Sequence, residues 1–543
     1  MLFFLLYRRD SIQYNTGCQT EEPDKLDIRM SDRFLSPEPV VVLEKAFVRP
    51  FKNFVATAKT CYSGKGVVRD EDLIEGYELL AQSIYQAGHH TTLQHAHFQF
   101  TLTNVSRQFI WSFLHSHPFY NSEQVSQRYV AVKPESFSIP PLSGEALDLY
   151  IAGVHEQMEA YKKLNEMLLP LVDAEYARLF PRQRRNFNRD VKKKAQEIAR
   201  YVVPIGAFAY LYHTISGVTL LRYYRLCRQY DTPLEQRLVV EKMVQALLDF
   251  DPEYKKILEQ PLPIESTPEY QFYQGYAEGM TAQATERFLD EFDVSLEGRV
   301  SKLIDYKVNQ EAVLAQSVRE VLGVPRAALD DAAAIRLALD PGENRLLGES
   351  LNLTTLSKIS RTLFHPSYTF RKKLSHTADS QDQRHRMTPA SRPILFAHTS
   401  DRPDYITPAL IKIDPKIEAY YQEVMSQCWD RFARMKRLGA PLEYALYLLP
   451  NALSIRFTES SDLLNLHHKH AMRLCYNAQE EIWRASLDEA QQIKEVNPSI
   501  GSYLLPPCTL RNMAGTRPVC PEGERYCGVK VWRLDLSEYQ RIL

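Results

Sequence analysis

Arg384-His385-Arg386 sets two guanidinium groups and an imidazole side by side in a polar stretch. Read alone, such a triplet is most often a solvated or salt-bridged face, and it is weak evidence of a site. His95 and His365 each open an alternating aromatic pattern, His95-x-x-Phe98-x-Phe100 and His365-x-x-Tyr368-x-Phe370. That pattern describes a half-buried strand, in which the histidine is either a hydrogen-bonded buried group or a binding residue. Four of the eight cysteines, Cys475, Cys508, Cys520 and Cys527, fall near the C-terminal end, in a stretch broken by Pro518, Pro521, Gly523 and Gly528. Thiolates converging on zinc in a tetrahedron would staple such a segment, which has little core of its own. The spacing lacks a CxxC pair, so separate reduced thiols compete with a structural zinc site, and His467, His468 or His470 could stand in for Cys475. The basic run from Arg182 to Lys194 has the composition of a nucleic-acid patch, but Asp190 and apolar residues at helical spacing favour a solvated helix face. Neither a P-loop nor a GxGxxG fingerprint is present.

The elements that carry these residues are mostly helical. Apolar periodicity predicts helices over Glu145 to Arg178, Pro233 to Phe250 and Pro415 to Leu438, and a strand over His97 to Thr103. At 543 residues the chain exceeds one ordinary core, so two domains are expected. Lys+Arg 66 against Asp+Glu 67 leaves no positive field that would favour nucleic acid or an anionic membrane. The apolar start Leu2 to Leu6 is too short for a signal peptide or a membrane span. Residues 1–29 read as a loose extension, and the thiols as reduced in the cytoplasm.

The halves repeat one another. Beyond the paired HxxFxF patterns, Leu114-His115-Ser116 and Arg384-His385-Arg386 lie at equal distances past their histidines. Pro204 and Pro450 anchor a second ungapped register, in which Ser216 matches Asp462, Cys227 matches Arg473 and Glu235 matches Glu481. Two registers in the same order point to a tandem duplication.

These anchors resemble the flavin-dependent thymidylate synthases. That family carries Arg-His-Arg, then Ser-x-Asn and Ser-x-Arg-Tyr, with a Gly-His-x-Ser/Thr-x-x-Glu-His stretch upstream and Asn-x-Arg downstream. The first half has Gly88-His89-His90-Thr91-Thr92-Leu93-Gln94-His95, Tyr120-Asn121, Ser126-Gln127-Arg128-Tyr129 and Ala199-Arg200. The second has Gln381, Arg384-His385-Arg386 and Arg473. The resemblance departs from the family pattern in both halves. Arg-His-Arg becomes Leu114-His115-Ser116 (or Ser116-His117-Pro118 with a shifted gap), and Asn-x-Arg becomes Ser216-x-Val218 and Asp462-x-Leu464.

The resemblance implies an α/β (α+β) chain, helix-rich with a mixed sheet in each of two tandem domains. The expected division is a tail at 1–33, a first repeat at 34–252, a connector at 253–305, a second repeat at 306–498 and a Cys-containing tail at 499–543. It implies methylation of deoxyuridylate (dUMP) to dTMP with FAD, NADPH and methylenetetrahydrofolate, in a cytoplasmic homo-oligomer, a dimer standing for the family's tetramer. Planar guanidinium forks suit the phosphate of the nucleotide and the pyrophosphate of the flavin. Carried over by position, Ser126, Arg128, Arg200, Gln381, Arg384 and Arg473 bind substrate, with Arg473 also at the reacting base. His95, His365, Arg384, His385 and Arg386 bind flavin. Neither repeat holds a full set, so one mixed site per chain is expected. A paralogue that binds nucleotide or flavin without the synthase reaction is the alternative.

Overall fold

The computed structural model describes residues 33–116, 119–180, 187–229, 233–276, 282–541 and 543. The tail expected at residues 1–29, the His117-Pro118 alternative and Arg182, Arg184 and Arg185 of the basic run lie outside the described residues. Two compact units emerge. Unit 1 takes residues up to Ala160, Val203–Ala284 and Ser426–Pro450; unit 2 takes Tyr161–Val202, Thr285–Met425 and Asn451–Leu543. Each unit therefore contains a segment from the opposite half of the sequence. Arg200 belongs to unit 2, and Tyr447 to unit 1.

Each unit is built on a four-stranded sheet. In unit 1 the strands are β1 (Val40–Ala46), β2 (His97–Ser106), β3 (Asn121–Gln124) and β4 (Phe208–Ser216), in the order β1-β2-β4-β3. In unit 2 they are β5 (Ser301–Tyr306), β6 (Ser367–Ser375), β7 (Ala390–Ser391) and β8 (Ser454–Asp462), in the order β5-β6-β8-β7. The boundary expected at 305 falls inside β5. Every pairing is antiparallel, a correction to the mixed sheets expected from the sequence. The reason is coverage. A parallel sheet needs both faces buried, whereas in unit 1 Val40, Val42, Tyr210 and Tyr212 leave one sheet face exposed.

The other face is the core. Phe98, Phe100 and Leu102 of β2 alternate inward against Phe51, Phe54 and Tyr254. In unit 2 Tyr368 and Phe370 of β6 pack with Leu463, Leu466 and Trp483. The C-terminal stretch contributes Val531, Leu536 and Tyr539 to that same core. The predicted long helices appear as Gly144–Leu179, Leu234–Phe250 and Pro415–Arg437. The helix Asn188–Ala199 buries Val191, Ala195 and Ile198, while Lys192 is exposed and Lys194 pairs with Glu197 at 2.9 Å. Arg189 is exposed as well, while the Lys194–Glu197 pair is mostly buried, so the expected solvated face describes only part of the run.

The two sheets superpose in register except at one point. His97 faces Ser216 as Ser367 faces Asp462, and Ser106 faces Phe208 as Ser375 faces Ser454. Between these ends β2 carries a bulge between Leu102 and Val105, with Asn104 at φ 56°, so it holds one residue more than β6. The bulge corrects the sequence alignment beyond it. Ser106 and Ser375 cap equivalent helices, each Oγ accepting from the backbone N–H three residues on. Counting from those caps, His115 and Ser116 occupy the places of Arg384 and His385.

Candidate functional site

Both units build the same anchor at the start of the helix after the central strand. In unit 1 the Glu235 carboxylate accepts from Ser106 N–H at 2.6 Å, from Ser106 Oγ and from Tyr447 Oη at 2.8 Å. In unit 2 Glu481 accepts from Ser375 N–H, from Ser375 Oγ at 2.7 Å and from Tyr201 Oη at 2.6 Å. Burial pushes Glu235 up to about 7 against the pull of these donors, and raises Glu481 likewise. Each tyrosine comes from the half of the sequence opposite to its glutamate. In unit 2 the residue before that tyrosine is Arg200, and in unit 1 it is Leu446.

Around the unit 2 anchor the polar groups join into one chain of hydrogen bonds. Arg200, 4% exposed, donates through Nη2 to Gln479 Oε1 at 2.9 Å and through Nε to Glu197 O at 3.2 Å. Gln479 Oε1 also accepts from Gln381 Nε2, while its own Nε2 donates to Tyr201 Oη at 2.6 Å. Arg473 donates through Nη2 to Gln381 O at 3.0 Å and through Nε to His385 Nε2 at 2.9 Å. The structure thus brings together Arg200, Gln381, His385 and Arg473, with Arg384 and Arg386 half-buried on either side of His385. Gln479 was missed in the sequence; a glutamine beside Glu480-Glu481 carries no motif, and only the Arg200 segment folded against it reveals the role.

Burial, then the neighbouring Arg473 cation, holds His385 well below the usual imidazole range. The ring is therefore neutral, and because Nε2 accepts from Arg473, its proton sits on Nδ1. A neutral acceptor fixing one arginine, with Arg384 and Arg386 flanking it in sequence, has the chemistry to meet an oxyanion.

Below this cluster lies a buried ionic network. Lys372 Nζ stands 2.7 Å from both Glu459 Oε1 and Glu489 Oε1, and Lys469 Nζ is 2.9 Å from Asp382 Oδ1 and 2.5 Å from Glu459 Oε1. His470 Nε2 meets Glu489 Oε2 at 3.0 Å. Burial opposes the charge on Lys372, but Asp382, Glu459 and Glu489 outweigh it and raise its pKa. By the strand and cap registers, the unit 1 residues at Lys372, Lys469, Asp382, Glu459 and Glu489 are Leu102, Tyr223, Phe113, His213 and Met243. There an apolar group forms instead, with Phe113 and Tyr223 ring centroids 4.7 Å apart and burial depressing His213 to about 3.

Ser126 and Arg128 belong to unit 1, on the turn after β3, where Arg128 N–H donates to Ser126 Oγ at 3.3 Å. His95 and His365 are exposed and end the short 3-10 turns before β2 and β6, so the buried, hydrogen-bonded alternative for them is corrected. The positions of the family's Asn-x-Arg have structural duties in unit 2. Asp462 caps the helix Leu463–Arg473, accepting from Asn465 N–H at 2.9 Å, and Leu464 is in the core. Cys475, Cys508, Cys520 and Cys527 are free thiols. Among the described residues, no three or more His, Cys, Asp or Glu side chains stand as a formed metal site. Among the same residues, no helix is long and apolar enough to cross a membrane.

The chain is thus a duplicated antiparallel α+β framework whose second unit bears an arginine-rich, glutamine-linked cluster. The sequence profile described as Thymidylate synthase complementing protein matches residues 43–253 and 302–499, and the chain belongs to that family. A flavin-dependent thymidylate synthase of Geobacter sulfurreducens is 29% identical over 171 residues, covering 31% of this chain and 70% of the relative. The enzyme of the same description from Sulfurisphaera tokodaii is 30% identical over 166 residues, covering 29% of this chain and 62% of the relative. A crystal structure of a UMP/dUMP methylase, PolB from Streptomyces cacaoi, aligns with 96% of its chain and 41% of this one at 14% identity. Its TM-score of 0.30 is too low to argue from.

Proposed function

We propose that the unit 2 cluster binds the phosphate of deoxyuridylate and the flavin of a thymidylate synthase-type reaction. Arg200, Gln381, Arg384 and Arg473 hold the nucleotide, and Arg384, His385 and Arg386 hold the flavin. The observation that carries this reading is the linked set Arg200, Gln479, Gln381, Arg473 and His385, because it joins a guanidinium from the first half of the sequence to the wall supplied by the second. Planar guanidinium groups beside a neutral imidazole are the donor types that would hold the phosphate groups of a flavin nucleotide. Bound flavin would supply hydride to a one-carbon unit delivered by methylenetetrahydrofolate, with NADPH as reductant. The protein's own residues would position the uracil and neutralise phosphate charge, and Arg473, held by His385, would polarise the pyrimidine. Calorimetry of dUMP binding to wild type, Arg200→Ala and Arg384→Ala tests the assignment. Each variant is expected to bind roughly ten- to a hundredfold more weakly, and unchanged affinity in either removes that residue from the site.

One observation favours a second reading. With Asp462 committed to a helix cap and Leu464 to the core, a flavin-gripping element of the family is gone. Purified protein that binds dUMP but shows no flavin absorbance, and fails to rescue a thymidine-requiring strain, identifies a binding paralogue.

A further inference from the structure

The C-terminal stretch of unit 2 gathers four thiols around one small cavity. Between Met513 and Leu543 the described regular structure is three short 3-10 turns, Gly523–Arg525, Val531–Arg533 and Leu536–Glu538. Yet this stretch packs firmly. Arg511 Nε donates to Pro518 O at 2.9 Å, Asn477 Nδ2 donates to Arg525 O, and Val531, Leu536 and Tyr539 enter the core. Cys475, Cys508, Cys520 and Cys527 line a single cavity of about 10 Å³, enough for one occupant the size of a water molecule. They come from separate segments, so the fold and not the spacing assembles them. Cys508 lies within electrostatic reach of the other three.

We propose that these four cysteines bind one structural zinc ion that staples the C-terminal stretch to unit 2. Zinc takes four thiolates in a tetrahedron, and closed sites of this kind serve folding rather than catalysis. As placed, the side chains do not form a finished metal site. Protonated thiols have no attraction that would draw their sulfur atoms together; the ion supplies it, releasing a proton from each thiol on binding. Glu522, which also lines the cavity, would stay in the outer shell, since the four sulfur atoms complete the tetrahedron.

The test uses the full-length protein purified under reducing conditions, with metal content measured by inductively coupled plasma mass spectrometry. The expected result is about one zinc per chain, released stoichiometrically when a mercurial reagent blocks the thiols. Exchange for cobalt should give the visible spectrum of tetrahedral thiolate coordination. Cys508→Ser and Cys520→Ser should each lose most of the metal, with far-ultraviolet circular dichroism of each variant reporting whether it has folded. Cys227→Ser and Cys428→Ser should keep it. Metal-free protein that takes up neither zinc nor cobalt overturns the proposal. So do two disulfides among these cysteines found by mass spectrometry, or zinc retained in Cys520→Ser. Flavin and dUMP binding are read separately, so this site stands or falls independently of the arginine cluster.

Discussion

Gln479 shows how a residue without a motif can organise a site. Its carbonyl oxygen accepts from Arg200 and from Gln381, and its amide donates to Tyr201. Gln479→Leu strips two buried donors of their acceptor, at about 1–3 kcal/mol each. The expected outcome is a roughly tenfold or larger loss of dUMP affinity by calorimetry, while far-ultraviolet circular dichroism stays that of the wild type. His385 makes a second prediction. Because burial and Arg473 both disfavour its imidazolium, nitrogen-resolved NMR should show a neutral ring protonated on Nδ1 at pH 7. Arg473→Leu should move its titration back toward ordinary histidine values; a ring that is charged at neutral pH in the wild type contradicts the assigned geometry.

At the scale of elements, the two central sheets carry opposite solutions to the same packing problem. Where unit 1 fills the space behind the strands with Phe113, His213 and Tyr223, unit 2 fills it with Lys372, Lys469 and three carboxyl groups. Buried charge is stable only while complete. Lys372→Met leaves Glu459 and Glu489 facing each other without that cation, and should cost about 3–5 kcal/mol of unfolding free energy in urea melts. The Glu235 anchor gives a pH prediction. Its folded pKa of about 7 lies above the ordinary 4.5, so the folded chain holds a proton that the unfolded chain releases. This contribution is fully present below pH 4.5 and is lost as pH rises through 7, on the order of 3 kcal/mol in all. Glu235→Gln should flatten that share of the slope, and an unchanged pH dependence of the unfolding midpoint would show that Glu235 is ionised throughout.

Taken as a whole molecule, the chain is asymmetric in its chemistry. At the positions of Arg200, Gln381, Arg473 and Gln479, unit 1 carries Leu446, Ser112, Cys227 and Pro233, none of which can bind a phosphate as a guanidinium does. One nucleotide per chain, not two, is therefore expected in calorimetric titration, and Leu446→Arg alone should not create a second. A stoichiometry of two would require the arginine-poor unit to bind by other groups.

The amino-acid sequence alone carried the family resemblance, the helix periods and the doubling of strand patterns, because these depend on local spacing and on anchors such as Arg384-His385-Arg386 and Pro204 with Pro450. It placed the residues after β2 one position out, since a bulge at Asn104 adds a residue without disturbing the alternation on either side. Tertiary structure decided the rest. Which half supplies Arg200 to the Gln381 wall, why Gln479 matters, and whether four scattered cysteines share a cavity all depend on contacts between residues far apart in the chain. Local propensity does not encode such contacts, because they are set by which buried surfaces find each other when the whole chain folds.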